Sequence, residues 1–260
     1  MGFDVLSPDE IFVVASIHAR LFGPTCLMST LGAVSRAMRV VSIAVFNADR
    51  RGWLIAASIS DVRLMSTLKG IKRLDVSRMH ADQLHIPTTV AHLQVGDLAS
   101  LQTGVRLTSV LAKQCSSMPV MHHLQRLSVA HCGLLTDISP IAALDALRYV
   151  SLRECWSLRD LDPLRALTRL VSLEVTFSRV REIPVLGTSL RTLRIRGCRW
   201  IESIEPIMHL TSLTELDLSM CNRITHAHHI GALTNLTSLD VSFGSRSLVS
   251  WGIARDLLTT

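Results

Sequence analysis

The chain has 260 residues, enough for one elongated domain or for a small domain followed by a larger one. Hydrophobic residues make up 48% of it, charged residues 18% and aromatic residues 4%, so we expect an aliphatic, repetitive interior. The net charge is +6, but the 27 basic side chains are scattered and form no basic run. This charge permits a nucleic-acid or acidic partner without requiring one.

The first residues and the cysteines indicate a compartment. The apolar stretch 11–17 is preceded by acidic residues and ended by His18, a pattern unlike that of a signal peptide. The stretch is also too short for a membrane span. None of the six cysteines forms a CxxC pair, and a secreted disulfide scaffold is usually shorter and richer in cysteine. We therefore expect an intracellular protein in the cytoplasm, with no membrane partner.

Residues 1–53 differ in texture from the rest of the chain. They hold a Pro-x-Glu-Ile start, a middle leucine, a Val-Ser-Arg segment and a late tryptophan, and this order resembles an F-box. The resemblance implies a helical platform for the Skp adaptor of a ubiquitin ligase. Its adaptor-binding residues would be Pro8, Glu10, Ile11, Leu27, Val34 and Trp53. The alternative is a mainly helical N-terminal cap with one degenerate repeat at 40–45.

Residues 54–123 contain degenerate copies of a repeat. The segments Ile71-x-x-Leu74-x-Val76 and Val90-x-x-Leu93-x-Val95 each predict one short strand. Residues 98–123 break the period, and we predict a helix on the outer wall from Val105 to Lys113.

A regular repeat occupies residues 124–244. The pattern L-x-x-L-x-[LIV]-x-x-C starts at Leu124, Leu147, Leu170, Leu190, Leu213 and Leu236. Ser or Gly replaces the cysteine in two copies, and Val150 replaces the second leucine in one. Three copies continue with a segment such as Leu161-Asp-Pro-Leu164, where proline predicts a turn or the start of a short helical segment.

The period-two alternation within each copy predicts one strand with leucines facing inward and their neighbours facing outward. Because no single unit can bury its apolar side alone, the copies must stack. The prediction is an α/β solenoid of roughly eight parallel strands. Past residue 244 the repeat fades, and Trp251, Ile253, Leu257 and Leu258 predict a closing helix in a C-terminal cap at 245–260.

This pattern resembles the leucine-rich-repeat family over residues 124–244. Within that family it is similar to the 23-residue form with cysteine at the ninth position found in kinetoplastid proteins, and its I-x-P-L segment is similar to the bacterial internalin repeat. The resemblance implies a curved solenoid with its parallel sheet on the concave face, acting by recognition of a protein partner.

The residues that could carry chemistry form no catalytic constellation, so we expect neither an enzyme nor a cofactor. The repeat-spaced cysteines are too far apart in sequence for an ordinary zinc site, and we expect each to pack as a small buried group. His226, His228 and His229 are expected to be polar loop residues, so no metal site is predicted.

The repeat register predicts which side chains face a partner on the concave wall. These partner-binding residues are Tyr149, Arg153, Glu174, Phe177, Arg194, Arg196, Asp217 and Asp240. Aromatic and arginine side chains dominate binding energy at protein interfaces, so the basic middle of this surface is the predicted hot spot. The predicted function is that of a non-catalytic scaffold or adaptor within a larger complex. The alternatives are an F-box-type substrate receptor, an RNA-associated subunit of a ribonucleoprotein, and a steric enzyme regulator.

Overall fold

The computed structural model describes residues 54–55, 72–77, 86, 90–100, 106–115, 118–119 and 121–243. The predicted cap or F-box at 1–53 and the predicted closing helix within 245–260 lie outside these ranges. The predictions for Pro8, Glu10, Ile11, Leu27, Val34 and Trp53 therefore stay predictions. The chain divides into two compact units, one of residues 1–96 and 100–107 and the other of residues 97–99 and 108–260.

The first unit contains a small parallel sheet. Its strands are β1 (Leu54–Ile55), β2 (Arg73–Val76) and β3 (His92–Asp97), whose last residue belongs to the second unit. Leu74 pairs with Leu93 across β2 and β3, and both side chains are buried. The two strands predicted within residues 71–95 are thus confirmed, while the short β1 strand was not predicted.

The second unit is built on seven parallel strands in sequence order. They are β4 (Ser109–Gln114), β5 (Arg126–Ala130), β6 (Tyr149–Arg153), β7 (Ser172–Thr176), β8 (Thr192–Arg196), β9 (Glu215–Asp217) and β10 (Ser238–Asp240). Equivalent repeat positions lie side by side: Val150 pairs with Leu173, which pairs with Leu193. The register follows from the alternation, because a one-residue slip would expose every buried leucine.

Strand β4 overturns one prediction. Residues 105–113 were predicted as an outer helix, yet Ser109–Gln114 pairs in parallel with β5. Val110 and Ala112 point inward, and Cys115 stands at the ninth position of a degenerate repeat that starts at Leu107. Pairing with a neighbouring strand outweighed the helix propensity of the Leu-Ala-Lys-Gln sequence. The described residues therefore contain ten strands, not the predicted eight.

Four return segments of the second unit are short 3-10 helices. They span Ser139–Ala143, Asp162–Ala166, Glu205–His209 and Ala227–Ala232. Proline stands in the first turn of the first three, where its fixed φ suits a helix start and its missing N–H is not needed. The predicted proline turns are confirmed. The sequence predicts an α/β fold class. The described ranges, however, contain strands and 3-10 helices and no α-helix.

The five cysteines in the described part of the chain are buried free thiols. The Sγ of Cys221 donates to the carbonyl oxygen of Ile195 at 2.9 Å, and the Sγ of Cys132 donates to that of Ala130 at 3.2 Å. Burial raises the pKa of the Cys221 thiol to about 12, which disfavours the thiolate needed for nucleophilic or metal chemistry. All five cysteines are thus buried, as expected for small packing residues.

One repeat is shorter than its neighbours. Leu190 follows Leu170 by 20 residues, whereas the other regular repeats advance by 23, and residues 179–189 contain no 3-10 helix. Gly187 passes so close to the previous repeat that an added Cβ would lie 3.0 Å from the carbonyl oxygen of Thr168. The missing turn leaves a cavity of about 600 Å³ in the return wall, bordered by Ile183, Val185 and Trp200 among others.

Candidate functional site: the exposed face of the sheet

The third, fifth and seventh positions of each repeat point away from the core, and we call the surface that they form on β5–β10 the sheet face. The structure places Tyr149 at a third position and Arg153 and Arg196 at seventh positions. Glu174, Arg194, Asp217 and Asp240 occupy fifth positions, and Phe177 stands at the eighth position, one residue beyond β7. All eight predicted partner-binding residues thus lie on or beside one surface.

Arg194 is neutralised within the sheet face. Its Nη2 lies 2.6 Å from Oε1 of Glu215 on the next strand, and its Nε donates to the same oxygen at 2.8 Å. The hydrogen bond to Glu215 raises the pKa of Arg194, and the charges of Glu215, Glu174 and Asp217 add to this effect. Arg194 therefore presents little free positive charge to a partner.

The acidic side chains of the sheet face are also engaged. Glu174 accepts a hydrogen bond from the Ser151 hydroxyl at 2.7 Å. Asp217 and Asp240 each accept the backbone N–H of the residue two positions later, at 2.8 Å, in a turn that ends the strand. Hydrogen bonds from Ser242, with a smaller effect of the Arg196 charge, hold the pKa of the Asp240 carboxyl below its usual range.

Arg153 and Arg196 differ from the charged residues around them. Both are exposed, and neither makes an ion pair or a side-chain hydrogen bond with any residue that the structure describes. They flank Thr176 in the strand register, so their Cα atoms are two strand spacings apart, roughly 10 Å. Together they carry the positive charge in the middle of the sheet face that forms no ion pair among the described residues, and the Arg196 charge also acts at longer range on Asp240.

An aromatic ridge borders these arginines. The eighth residue of each regular repeat adopts positive φ, and at this position Phe177 has φ 50° and Gly197 has φ 68°. A Cβ added to Gly197 would lie 2.6 Å from Cδ1 of Phe177, so only glycine leaves room for the ring. The ring centroids of Phe177 and Trp156 are 5.8 Å apart, and Trp156 is 52% exposed. The ridge thus offers apolar surface beside the arginine pair.

Tyr149 lies at the other end of β6 from Arg153, on the same face of the sheet. The Arg126 guanidinium lies 4.7 Å from the centroid of the Tyr149 ring, within the range of a cation–π contact. The ring is 39% exposed. Arg126 therefore orients Tyr149, a predicted binding residue, and its own guanidinium is partly engaged by the ring.

One residue of this surface, Trp156 at the tenth repeat position, was missed by the sequence analysis. Thr176 and Ser219 stand at seventh positions, in a row that the repeat register predicts to face outward. A tryptophan next to the ninth-position cysteine is a signal that could have been noticed. The burial of Thr176 and Ser219 could not, because it depends on the neighbouring strands.

Known proteins resemble this chain in sequence and in structure. A family profile described as Leucine Rich repeat matches residues 209–226. The leucine-rich repeat domain of the type III effector XopL is similar in structure with a TM-score of 0.51, at 16% identity, over 98% of this chain and 94% of that one. The chain folds as a leucine-rich-repeat protein. No curated protein matches its sequence.

Two bacterial structures also align with this chain. An internalin (inlF) from Listeria monocytogenes is 17% identical over 95% of this chain and 97% of its own, with a TM-score of 0.42. Internalin C2 from the same organism is 19% identical over 61% of this chain, with a TM-score of 0.47. The second match spans 64% of internalin C2, just under two thirds of its length.

Three further observations concern the described residues. Among the described residues, no three His, Cys, Asp or Glu side chains converge as a metal site would require. His228 and His229 stack with ring centroids 4.0 Å apart in the last return segment. No helix within the described ranges is long and apolar enough to cross a membrane.

Proposed function

We propose that this protein is a non-catalytic interaction module that binds a protein partner through its sheet face, as a scaffold or adaptor within a larger intracellular complex. The observation that carries the proposal is the pair of unpaired arginines, Arg153 and Arg196, beside the exposed ring of Trp156. Arginine and tryptophan contribute disproportionately to protein–protein binding energy when desolvated. The leucine-rich-repeat fold supports the proposal at the level of fold alone.

The charge pattern favours a protein over a nucleic acid. Phosphate-backbone binding requires a sustained positive stripe. On the sheet face Glu174, Asp217 and Asp240 share the fifth-position row with Arg194, next to the seventh-position row that holds Arg153 and Arg196. A protein partner can match such alternating charges, since complementarity of sign sets specificity at interfaces.

The test is affinity purification of the intact chain from its native cell beside an Arg153→Glu, Arg196→Glu double variant. We expect the double variant to lose the main partner. The matched control is Arg159→Glu, Arg169→Glu, which reverses two exposed arginines outside the strands and should retain it. Circular dichroism melting of each variant verifies folding, and equal recovery of the partner by both double variants would contradict the proposal.

The F-box-type receptor is kept as an alternative because of the residues between Pro8 and Trp53. A chain lacking residues 1–53 serves as its test in the same experiment. Loss of Skp and cullin from this truncation alone would favour the ubiquitin-ligase role, and their absence from the intact chain would reject it. Loss of partners after ribonuclease treatment would favour a ribonucleoprotein subunit.

A further inference from the structure

The seventh-position row of the sheet face alternates cations with hydroxyls. Across β6 to β9 the row reads Arg153, Thr176, Arg196 and Ser219. Backbone hydrogen bonds continue the ladder beside it, with the N–H of Gly197 donating to the carbonyl oxygen of Ser219 at 2.9 Å. The arginines are exposed, whereas Thr176 and Ser219 are 8% and 3% exposed. The short side chains of Thr176 and Ser219 thus lie closer to the sheet than the side chain of Arg196, which stands between them.

The hydroxyl of Ser219 lacks a partner. Its Oγ is buried and makes no hydrogen bond with any atom in the described part of the chain. A buried hydroxyl without a partner has lost its hydrogen bonds to water and gained none in return, so such groups are rare in folded proteins. Because the Oγ has almost no exposed surface, the Ser219 side chain must turn outward before an acceptor bound beside Arg196 can satisfy this hydroxyl.

The unpaired charge points to a dianion. Arg153 and Arg196 bring two positive charges to either side of Thr176, and a single carboxylate could neutralise only one of them. A phosphate monoester carries about −1.5 to −2 charges near neutral pH and three strong acceptor oxygens. Arginine forks bind phosphate through paired, charge-assisted hydrogen bonds.

The surroundings favour an isolated phosphate on a peptide. Glu174, Glu215 and Asp217 lie along the third- and fifth-position rows next to the arginines, where they would repel a run of further anions. On the other side, Phe177 and Trp156 offer an apolar edge for a neighbouring side chain. A polyanion such as RNA meets repulsion where a singly phosphorylated peptide does not.

We propose that the seventh-position row binds the phosphate of a phosphoserine or phosphothreonine in an extended segment of the partner protein. This inference rests on the proposed function, because it assigns the partner chemistry of the same face. Both arginines contact the phosphate, and the hydroxyls of Thr176 and Ser219 donate to its oxygens. The aromatic ridge contacts an apolar side chain next to the phosphorylated residue.

The test uses three degenerate peptide libraries that share their flanking positions and carry phosphoserine, glutamate or serine at the centre. Fluorescence anisotropy with the full chain measures their binding. We expect the phosphoserine library to bind more tightly than the other two. Arg153→Gln and Arg196→Gln should each weaken its binding by about tenfold or more, since charge-assisted hydrogen bonds are lost. Arg159→Gln, a control outside the strands, should leave binding unchanged.

Ser219→Ala separates binding from folding. The variant removes a buried hydroxyl that has no partner, so its melting temperature should stay the same or rise. Binding of the phosphoserine library should nevertheless weaken about threefold to tenfold, as for one neutral hydrogen bond. Unchanged binding by Ser219→Ala would remove this serine from the site.

Three outcomes would overturn the inference. Equal binding of the glutamate library would assign the face to acidic segments, and tighter binding of single-stranded RNA through the same arginines would assign it to nucleic acid. Binding of no library above the serine control would also reject it. In that last case, a partner that Arg153→Glu, Arg196→Glu still loses in the purification would leave the proposed function standing.

Discussion

The repeats that begin at Leu147 and Leu170 have equivalent strand halves and different return halves. Strands β6 and β7 pair residue for residue and bury the same positions, Val150 opposite Leu173 and Leu152 opposite Val175. After the strand, the first repeat forms the 3-10 helix Asp162–Ala166, and the second runs through residues 179–189 without one.

The difference shows where the fold is constrained. A strand is hydrogen-bonded to a neighbour on each side, so deleting a residue there would shift the alternation of buried and exposed positions. A return segment connects to its neighbours mainly through buried side chains, so a turn can be omitted if those side chains still meet. The consequence is the cavity beside Ile183, Val185 and Trp200.

The largest expected effect tests the two return halves directly. Ile207→Ala in a complete return segment should lower the free energy of unfolding by about 2–5 kcal/mol, because it leaves a void among packed neighbours. Ile183→Ala in the short repeat should cost about 1–2 kcal/mol, since its side chain already borders an open cavity.

Urea unfolding of both variants measures this difference. Val185→Ala is the control, because Val185 is 49% exposed at the cavity and its truncation should change stability little. Equal losses for Ile183→Ala and Ile207→Ala would mean that the short repeat packs as tightly as the others.

The second prediction concerns the contact of the short repeat with the next one. Gly197→Ala should destabilise the protein by about 1–2 kcal/mol through its positive φ alone, and more because the new Cβ displaces the Phe177 ring. Thermal unfolding gives the loss. Gly231→Ala, where an added Cβ meets no atom within 4 Å, should be neutral or slightly stabilising. A neutral Gly197→Ala would show that Phe177 moves away freely.

The third prediction concerns Ser178, which replaces the ninth-position cysteine of the regular repeats. Its Oγ lies 3.1 Å from the Sγ of Cys198 in the core. Ser178→Ala should lower the free energy of unfolding by about 1 kcal/mol, because a buried hydrogen bond is lost. Ser178→Cys restores the regular residue and should stay within about 0.5 kcal/mol of the natural chain. A larger loss for Ser178→Cys than for Ser178→Ala would mean that the short repeat has no room for sulfur.

The smallest expected effect is a pH dependence at the strand ends. Asp240 accepts the backbone N–H of Ser242, whereas Glu174 of the short repeat bonds to the Ser151 hydroxyl instead. Because Ser242 lowers the pKa of Asp240 below its ordinary 3.8, the bond stabilises the fold above that value. This contribution is lost as the pH falls through the lowered folded-state pKa.

Asp240→Asn should flatten the decline of stability below about pH 4, as followed by urea unfolding at a series of pH values, and Ser242→Ala, which removes the hydroxyl but keeps the backbone N–H, should flatten it in part. The double variant should add little to Asp240→Asn, since both changes act on the same carboxyl group. An acid profile that neither substitution alters would show that Asp240 keeps its ordinary pKa.

Much of the second unit could be predicted from spacing. The register of Leu127, Leu152 and Leu193 follows from the repeat, because a parallel stack has one way to bury a period-two pattern. Strand β4 could not be predicted in the same way. Its copy of the motif has alanine at the sixth position and departs from the 23-residue spacing, so local helix propensity was the stronger signal.

For the candidate site, the sequence predicted the surface but not the state of its charges. The repeat pattern does not distinguish Arg153, Arg194 and Arg196, since it places all three on the sheet face. Only the lateral contact between β8 and β9 pairs Arg194 with Glu215 and leaves the other two arginines without an ion pair in the described part of the chain. Such pairing joins residues about one repeat apart, which no local pattern reports.

The sequence by itself determined the buried and exposed positions of the regular repeats, because the inward and outward alternation of a strand is a property of the backbone. It also determined the proline turns of the return segments, since proline restricts φ wherever it stands. Only the tertiary structure decided that Ser219 is buried without a hydrogen-bond partner in the described ranges. It also decided that a cavity opens beside the repeat that is three residues shorter than its neighbours. Both depend on distances between neighbouring repeats, and those distances exist only once the repeats are stacked.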